Sequence, residues 1–277
     1  MAVREIVGIR LWMRNLYDIL KATFQVIVYN PIRLPLLGVG AWAWVEIAKW
    51  ILNLPLVSVG GPRSQPVGLS ALCGWGGVLL SDALTAPLAT GVLIAAVSEY
   101  ILQERIGMGR ALWAAWRRAS KLIGASLLVL TGVLGIALVT GFLFGAVRLT
   151  APVQGAWRTF WTWAVALSGI IVVFYWLVRC TFAAQAVVLD GCSAQASLDQ
   201  SRALIAGNWS RVLGALIALS GVSWFTTALL LTVPVIGPVL GPALTTPIHV
   251  VGTTLLYVEL RAEREDKTRE GVVKAQA

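Results

Sequence analysis

The stretch LTAPLATGVLIAAVSE, residues 84–99, decides the fold. It carries no charge before its final glutamate, and its outline returns as LTTPIHVVGTTLLYVE at residues 244–259. Both stretches begin Leu-Thr-x-Pro and end on a glutamate twelve residues after the proline, although only these four of sixteen aligned positions are identical. A threonine can cap a helix, and a proline fits its first turn. The pattern predicts helices that start at Thr85 and Thr245, and a weak internal repeat.

The rest of the chain is similarly apolar. Of its 277 residues, 58% are hydrophobic and 13% are charged, and the mean hydropathy is +0.80. A soluble domain of this length carries about 25% charged residues. The composition therefore indicates that lipid is the solvent for most of the chain. Charges scattered through the first 30 positions argue against a cleaved signal peptide.

Six apolar segments are candidates to cross a hydrocarbon core of roughly 30 Å. They are predicted at residues 34–56, 84–102, 122–147, 161–189, 212–233 and 245–260. Amphipathic segments lie at 3–29, at 103–121 (QERIGMGRALWAAWRRASK) and from Ser193, where Ser197 and Gln200 have capping-box spacing. The predicted fold is an all-α polytopic membrane protein. Its six transmembrane helices form three hairpins, each preceded by an amphipathic interfacial helix.

Two parts of this plan stay open. Residues 3–29 fit either a helix lying in the membrane surface or a cytoplasmic helix packed on protein, and Trp12 and Tyr17 favour the surface. Residues 67–81 fit an outer-surface segment, a re-entrant segment or an extension of the next helix. A single membrane domain is expected at 1–264, with a charged cytoplasmic tail at 265–277.

Positive charge predicts the orientation. Of the 22 Lys and Arg residues, 17 lie before residue 34, within 105–121, at Arg202 and Arg211, or after residue 260. Both termini and all three amphipathic helices are therefore expected on the cytoplasmic side of an inner membrane. Anionic headgroups there attract each basic residue by about 1 kcal/mol. The basic residues behind the net charge of +9 are accordingly expected to bind anionic lipid headgroups rather than nucleic acid.

The two glutamates that end the repeated stretches are predicted near cytoplasmic helix ends. A carboxylate there faces the negative end of its own helix dipole, so it needs a cation. Neither glutamate has a Lys or Arg four residues earlier, so the partner should come from a neighbouring helix. We expect Glu99 and Glu259 to pair with Arg33, Arg211 or Arg179. The alternative is a solvated glutamate without a fixed partner.

The first span carries Glu46, Lys49 and Asn53 on one helical face. Ionisable groups at membrane depth often mark a pathway, but Glu46 and Lys49 are three residues apart and could pair with each other. A pathway and a structural pair both stay open. Asp82 is expected to cap a helix at the outer boundary, and His249 to donate a hydrogen bond within the bundle.

Motifs for catalysis or for binding a metal or cofactor are missing from the sequence. There is one histidine, and there is no HExxH, P-loop, GxGxxG or CxxC pattern. Cys73, Cys180 and Cys192 are spaced as small buried hydrophobes rather than as metal ligands. The chain is expected to work without a cofactor and not to be an enzyme.

Two stretches carry a family resemblance: RCTFAAQAVVLDGCSAQASLDQSRALIAGNWSRVLG at 179–214 and LTTPIHVVGTTLLYVELRAERE at 244–265. They resemble the membrane domain of bacterial glycerophosphoryl diester phosphodiesterases and related six-helix membrane proteins. The likeness covers about residues 83–264. It rests on Arg179, Val187-Val188-Leu189-Asp190, Ala196, Ser201, Leu204, Pro247 and Leu256-Tyr257-Val258-Glu259-Leu260-Arg261. The resemblance implies a membrane module tied to lipid or glycerophosphodiester handling, with hydrolysis left to a separate soluble domain.

The function expected from these features is that of a non-catalytic scaffold or lipid-associated module. Its expected partners are membrane lipids, anionic headgroups on the cytoplasmic leaflet and a protein in the membrane. The alternative is a transporter or channel for a small solute or lipid, and an intramembrane enzyme using Glu46 or Asp82 is the third reading. A transporter should show a water-accessible cavity lined by its charges. A scaffold should show those charges paired.

Overall fold

The computed structural model describes residues 16–29, 34–40, 43–47, 67–103, 107–150, 155–232 and 237–276. These residues are helical apart from short turns, and none of them lies in a strand. The helices are α1 (Leu16–Tyr29), α2 (Val67–Gln103), α3 (Met108–Arg117), α4 (Ala119–Thr150), α5 (Ala156–Cys180), α6 (Ala183–Asp190), α7 (Ala194–Ile205), α8 (Trp209–Leu231) and α9 (Gly237–Gln276). Residues 34–40 and 43–47 are also helical. The chain is therefore an all-α protein, as predicted.

Four stretches of the described chain are long and apolar enough to cross a membrane. They are Asp82–Ile101, Ala119–Leu149, Thr159–Asp190 and Trp209–Leu231. A fifth is added if Asp18–Tyr29 and Leu34–Ile47, which meet at 88°, count as one bent span. These findings indicate a membrane protein. The four stretches coincide with predicted spans two to five, and the count of six stays a prediction.

The first and last predicted spans differ from the other four. Span 34–56 is described only in part, and residues 41–42 and 48–56 lie outside the described residues. Span 245–260 lies inside α9 but is not among the apolar candidates, because several threonines and Glu259 lower its hydropathy. Residues 250–257 are nevertheless all buried. The Gln185 amide donates to the Thr253 hydroxyl at 3.1 Å. The inner part of α9 is thus enclosed by protein, and Thr253 has a hydrogen-bond partner there.

The two Leu-Thr-x-Pro motifs do not start helices, so this prediction is wrong. α2 begins at Val67 and α9 at Gly237, which places Thr85 and Thr245 inside longer helices. The apolar residues ahead of each motif continue the helix, and membrane helices tolerate an internal proline because neighbouring groups satisfy the freed backbone. The Thr245 hydroxyl donates to the Gly241 carbonyl at 2.9 Å instead of capping. Asp82 also lies within α2, so its predicted capping role is wrong as well.

The same long helix settles the alternatives for residues 67–81. They are helical and continuous with the segment that ends at Gln103. Of the three alternatives, the extension of the next helix is therefore the one observed.

α7 begins where predicted, but its cap differs from the predicted capping box. The N-cap is Ser193, whose hydroxyl oxygen accepts a hydrogen bond from the Ala196 amide at 3.4 Å. Ser197 lies inside the helix, and its hydroxyl donates to the Ala194 carbonyl at 2.7 Å. Gln200 binds residues of other elements, as described below. Neither residue of the predicted capping box therefore caps α7, because Ser197 bonds within its own helix and Gln200 bonds to other elements.

The described buried apolar side chains form three clusters, of which the smallest contains Cys180, Ala183 and Leu198. The two larger clusters adjoin each other, and together we call them the basal core. One cluster joins α2, the start of α4, α6 and α9, and the other joins α1, α5, α7, α8 and α9. Ala22 and Leu189 pack against both. The largest fully buried side chains are Tyr257, Phe182, Ile19, Leu34, Leu93, Ile94, Leu122, Ile205, Leu219, Leu256, Leu260 and Val97. The basal core therefore gathers one end of most helices.

The described part of the N-terminal amphipathic segment packs on protein. In α1, Ile19 and Thr23 are buried against α8 and α9, while Phe24 and Tyr29 stay exposed. One face of α1 therefore packs on protein and the other is exposed, and the choice between a membrane-surface helix and a cytoplasmic helix stays open. Residues 1–15 lie outside the described residues.

Residues 130–150 of α4 and 156–174 of α5 contribute no side chain to the basal core, and we call them the arm. Gly169 is the only buried residue among the side chains described there. The two helices approach closely at this glycine, because an added Cβ would lie 2.4 Å from Thr140 Cγ2. In an 18-residue apolar stretch of the candidate span in α4 only 11% of the residues are buried, against 44% in the corresponding stretch of α2. The arm thus exposes most of its apolar surface.

Candidate functional site

The largest group of polar side chains shared between elements lies beside the end of α6. Asp190 is the last residue of α6, and Gly191 follows with φ +70°. A left-handed residue is the usual way to end a helix sharply, and glycine adopts it without a steric penalty. The turn sends the chain directly into α7. It also leaves the Asp190 carboxylate facing α9.

Three side chains donate to the Asp190 carboxylate. The Tyr257 hydroxyl and the Arg261 guanidinium both bind it, and the Gln200 amide donates to Oδ2 at 2.6 Å. The same Gln200 nitrogen is 2.9 Å from the Tyr257 hydroxyl. Tyr257 and Arg261 are one helical turn apart on α9, so both face α6. We call Asp190, Gln200, Tyr257 and Arg261 the polar cluster.

The polar cluster is buried on one side and open on the other, since Arg261 is 44% exposed. Tyr257 is fully buried, and the Asp190 side chain is only 10% exposed. Two residues extend the network, because the Cys192 thiol donates to Gln200 Oε1 at 3.0 Å and Glu265 lies 3.1 Å from Arg261 Nε. Charge-assisted hydrogen bonds away from water are stronger than exposed ones. The network therefore joins α6, α7 and α9.

A second group joins α8 to α9. Arg211, in the first turn of α8, pairs with both Glu259 and Glu263, the latter at 2.6 Å. The Glu259 side chain is only 5% exposed, and its Oε2 has no hydrogen-bond partner among the described atoms. Arg211 was one of three cations expected for Glu259. The structure brings these two residues together.

Glu99 has a different partner from those expected. Its carboxylate pairs with Arg110 Nε at 2.6 Å and accepts the Gly107 amide at 2.9 Å. The expectation that Arg33, Arg211 or Arg179 would serve is therefore wrong where these residues are described. The partner lies eleven residues later in the chain, because α3 folds back along the last turns of α2.

The other proposed cations are used elsewhere or lie outside the described residues. Arg179 stacks over the Tyr175 ring at 4.9 Å, and its backbone carbonyl accepts the Ser201 hydroxyl at 2.8 Å. Ser201 also accepts the Phe182 amide at 3.2 Å. Arg179 thus lies at the break between α5 and α6 and marks a packing contact. Arg33 lies outside the described residues.

The polar face predicted on the first span cannot be assembled from the described residues. Glu46 is exposed on the short helix 43–47, whereas Lys49 and Asn53 lie outside the described part of the chain. His249 is half-buried in α9, where Thr253 donates to its backbone carbonyl at 2.9 Å.

The described residues contain no set of side chains arranged to bind a metal ion. No three His, Cys, Asp or Glu side chains among them come close enough together to hold an ion. Cys180 and Cys192 are free thiols, the first buried and the second half-buried. The side chain of Cys73 lies outside the description.

Comparison with known proteins adds a family. Residues 36–260 match the DUF7847 family, which is described as a domain of unknown function. The chain belongs to this family. No curated protein matches it, and no solved structure matches it. The match covers most of the basal core and the whole arm. Because the family carries no described activity, the resemblance to phosphodiesterase membrane domains stays a prediction.

A cavity of about 250 Å³ lies between α2, α4 and the α5–α6 junction of this DUF7847 chain. Its polar lining comes from Asp82, Thr90, Ser126, Cys180 and Thr181. Two helix irregularities border it, namely Pro87 inside α2 and the turn at Thr181–Phe182. Irregular backbone at membrane depth is tolerated where it is enclosed by protein or lines a cavity. Asp82 therefore borders a cavity rather than capping a helix.

The polar cluster escaped the sequence-based predictions, although a signal for it was present. Asp190 ends a helix, so the dipole argument made for Glu99 and Glu259 applies to it as well. Tyr257 and Arg261 stand at i and i+4, which places both on one face of α9. Which helix they face is a property of the tertiary structure.

Proposed function

We propose that this chain is a multi-pass protein of the cytoplasmic membrane that acts as a non-catalytic scaffold or lipid-associated module. In this proposal it crosses the membrane six times as three hairpins, with both termini in the cytoplasm. The basal core lies toward the cytoplasmic side, and the arm extends into lipid. A tie to lipid or glycerophosphodiester handling rests on the sequence resemblance alone.

The observation that carries the proposal is that charged side chains are used to join helices to one another. Asp190 binds Arg261, Arg211 binds Glu259 and Arg110 binds Glu99. Two of these three ion pairs join residues that are at least 48 positions apart in the chain. Groups committed in this way hold a framework together. The exposed apolar arm then offers contact area to lipid or to a membrane partner.

Labelling of single cysteines tests the six-crossing topology. In a chain whose own cysteines are alanine, cysteines placed at Ser64, Val153 and Val235 should react with an impermeant maleimide from outside the cell. Cysteines at Gly109, Cys192 and Lys267 should react only after the membrane is opened. An odd number of crossings, or chain ends on opposite faces, would end this topology.

The cavity beside Asp82 favours a second candidate function, transport of a small solute. A transport site is filled with water. A thiol reacts as its thiolate, which forms readily only where water reaches it. Cys180 lines the cavity and is 6% exposed, so its own reactivity reports on the cavity. In reconstituted protein, methyl methanethiosulfonate should modify Cys180 far more slowly than Cys192 if the chain is a scaffold. Equal rates at the two thiols would favour transport.

A further inference from the structure

α3 turns its small side chains toward the protein and its large ones away. Ala111 and Ala115 are each 2% exposed, whereas Leu112, Trp113 and Trp116 are 58–63% exposed. The buried side fits closely, because a Cβ added at Gly91 would lie 3.7 Å from the Ala115 Cβ. Exposed tryptophans in a row are costly in water. This face therefore calls for an apolar or amphipathic neighbour.

The position of α3 restricts what that neighbour is. α3 connects two candidate spans, since α2 ends at Gln103 and α4 begins at Ala119. Glu99 binds the Gly107 amide, and Ala115 approaches Gly91, so α3 runs back along the last turns of α2. Those turns belong to the span Asp82–Ile101. The exposed face of α3 therefore lies at the edge of the membrane.

Charge selects among the molecules present at that edge. Arg110 and Arg117 are seven residues apart, so both flank the same side of the apolar strip. Arg110 is paired with Glu99, and Arg117 is exposed. α3 contains no acidic residue. Tryptophan prefers headgroup depth, and a helix with basic and aromatic residues on one surface is typical of binding to anionic lipid. A lipid surface matches both the charge and the aromatic residues.

We propose that the outer face of α3, formed by Leu112, Trp113, Trp116 and Arg117, binds anionic lipid headgroups of the cytoplasmic leaflet. The assignment rests on the membrane placement given under the proposed function. Trp113 and Trp116 would lie among the headgroups and upper acyl chains. Arg117 would lie beside the phosphates.

A photo-crosslinker tests the contact directly. The full chain is prepared with p-benzoylphenylalanine at Trp116, at Phe142 on the arm or at Lys267 in the tail. Each protein is reconstituted in vesicles of phosphatidylcholine and phosphatidylglycerol, irradiated and analysed by mass spectrometry. Position 116 should give lipid adducts enriched in phosphatidylglycerol. Position 142 should give lipid adducts without that enrichment, and position 267 should give few.

Removal of one charge measures the electrostatic part. Arg117→Gln should lower the ratio of phosphatidylglycerol to phosphatidylcholine adducts at position 116 by about fivefold, the effect of one basic residue near an anionic surface. Arg148→Gln, which removes the same charge at the far end of α4, should leave that ratio unchanged. Gel filtration of each variant confirms that it is folded.

The outcomes separate this proposal from the proposed function. Lipid adducts at position 142 but none at position 116 would overturn the lipid-binding role of α3 and leave the membrane placement intact. Crosslinks from position 116 to a second copy of the chain would also overturn it, in favour of a protein contact. No lipid adducts at either position would contradict the membrane placement itself.

Discussion

The basal core and the arm are both built from apolar sequence, but they differ in how many of their polar side chains are bonded to other helices. In the arm, Thr131 and Ser168 donate to carbonyls of their own helices at 2.8 Å. In the basal core, Gln185, Gln200 and Arg211 bind side chains of other helices. A polar group bonded within its own helix leaves the helix surface free for lipid. A polar group bonded across helices fixes the position of its neighbour.

The aromatic residues of the two regions show the same contrast. Phe182 in the basal core is fully buried, whereas Phe142 in the arm is 78% exposed. Apolarity alone does not distinguish a side chain that meets protein from one that meets lipid. The free energy of unfolding should therefore reside mainly in the basal core, and four experiments test this division.

The largest expected effect comes from truncating matched aromatic residues. Phe182→Ala should lower the free energy of unfolding by about 3–5 kcal/mol, because it removes contacts and leaves a cavity. Phe142→Ala should change it by less than about 0.5 kcal/mol, as for exposed substitutions elsewhere. Urea unfolding in detergent, followed by circular dichroism, measures both. Equal effects would mean that the arm is as well packed as the core.

Breaking the ion pair between α8 and α9 should have the next largest effect. Arg211→Met leaves the Glu259 carboxylate buried without its cation and should cost about 2 kcal/mol, between the values for exposed and buried pairs. The double variant Arg211→Met/Glu259→Met should recover most of this loss. Asp199→Asn, which breaks an exposed pair with Arg202, serves as the control in the same unfolding assay. A double variant no better than the single one would show that the charges are not coupled.

Removing one hydroxyl from the polar cluster sharpens the comparison further. Tyr257→Phe keeps the buried ring but takes a donor from Asp190, at a cost of about 1.5 kcal/mol. Tyr175→Phe, at an exposed ring near the base of the arm, should be close to neutral. Thermal unfolding in detergent gives both values. A neutral Tyr257→Phe would indicate that Gln200 and Arg261 satisfy Asp190 by themselves.

The smallest expected effect comes from two glycines of the arm, whose substitution by alanine should change the stability in opposite directions. Gly169→Ala places a methyl group against Thr140 and should destabilise the protein by about 1 kcal/mol. Gly141→Ala has nothing within 4 Å of the new Cβ, so better helix propensity should stabilise it slightly. Thermal unfolding of the two variants should shift in opposite directions. Shifts in the same direction would contradict the observed approach of α4 and α5.

Much of the fold follows from hydropathy and local spacing. Spans two to five, the start of α7 at Ser193 and the pairing of Glu259 with Arg211 all agree with expectation. Helix boundaries agree less well. Thr85 and Thr245 look like N-caps in the sequence, but both lie inside longer helices. Membrane helices tolerate internal prolines, so Pro87 and Pro247 do not mark a helix start.

The site was less accessible to sequence reasoning. The sequence indicated that Glu99 requires a cation. It did not indicate that α3 turns back along α2, which brings Arg110 to Glu99. The cluster around Asp190 depends on contacts 57–71 residues apart in the chain. No local period reports contacts of this kind.

The sequence by itself determined an all-helical chain suited to lipid, because apolar length and scarcity of charge decide which solvent a helix tolerates. Only the tertiary structure decided which apolar surfaces meet protein and which remain outside, and which carboxylate binds which cation. Side chains of similar hydropathy fit either environment. Packing distinguishes them, because it depends on which helices lie together and not on the composition of any one of them.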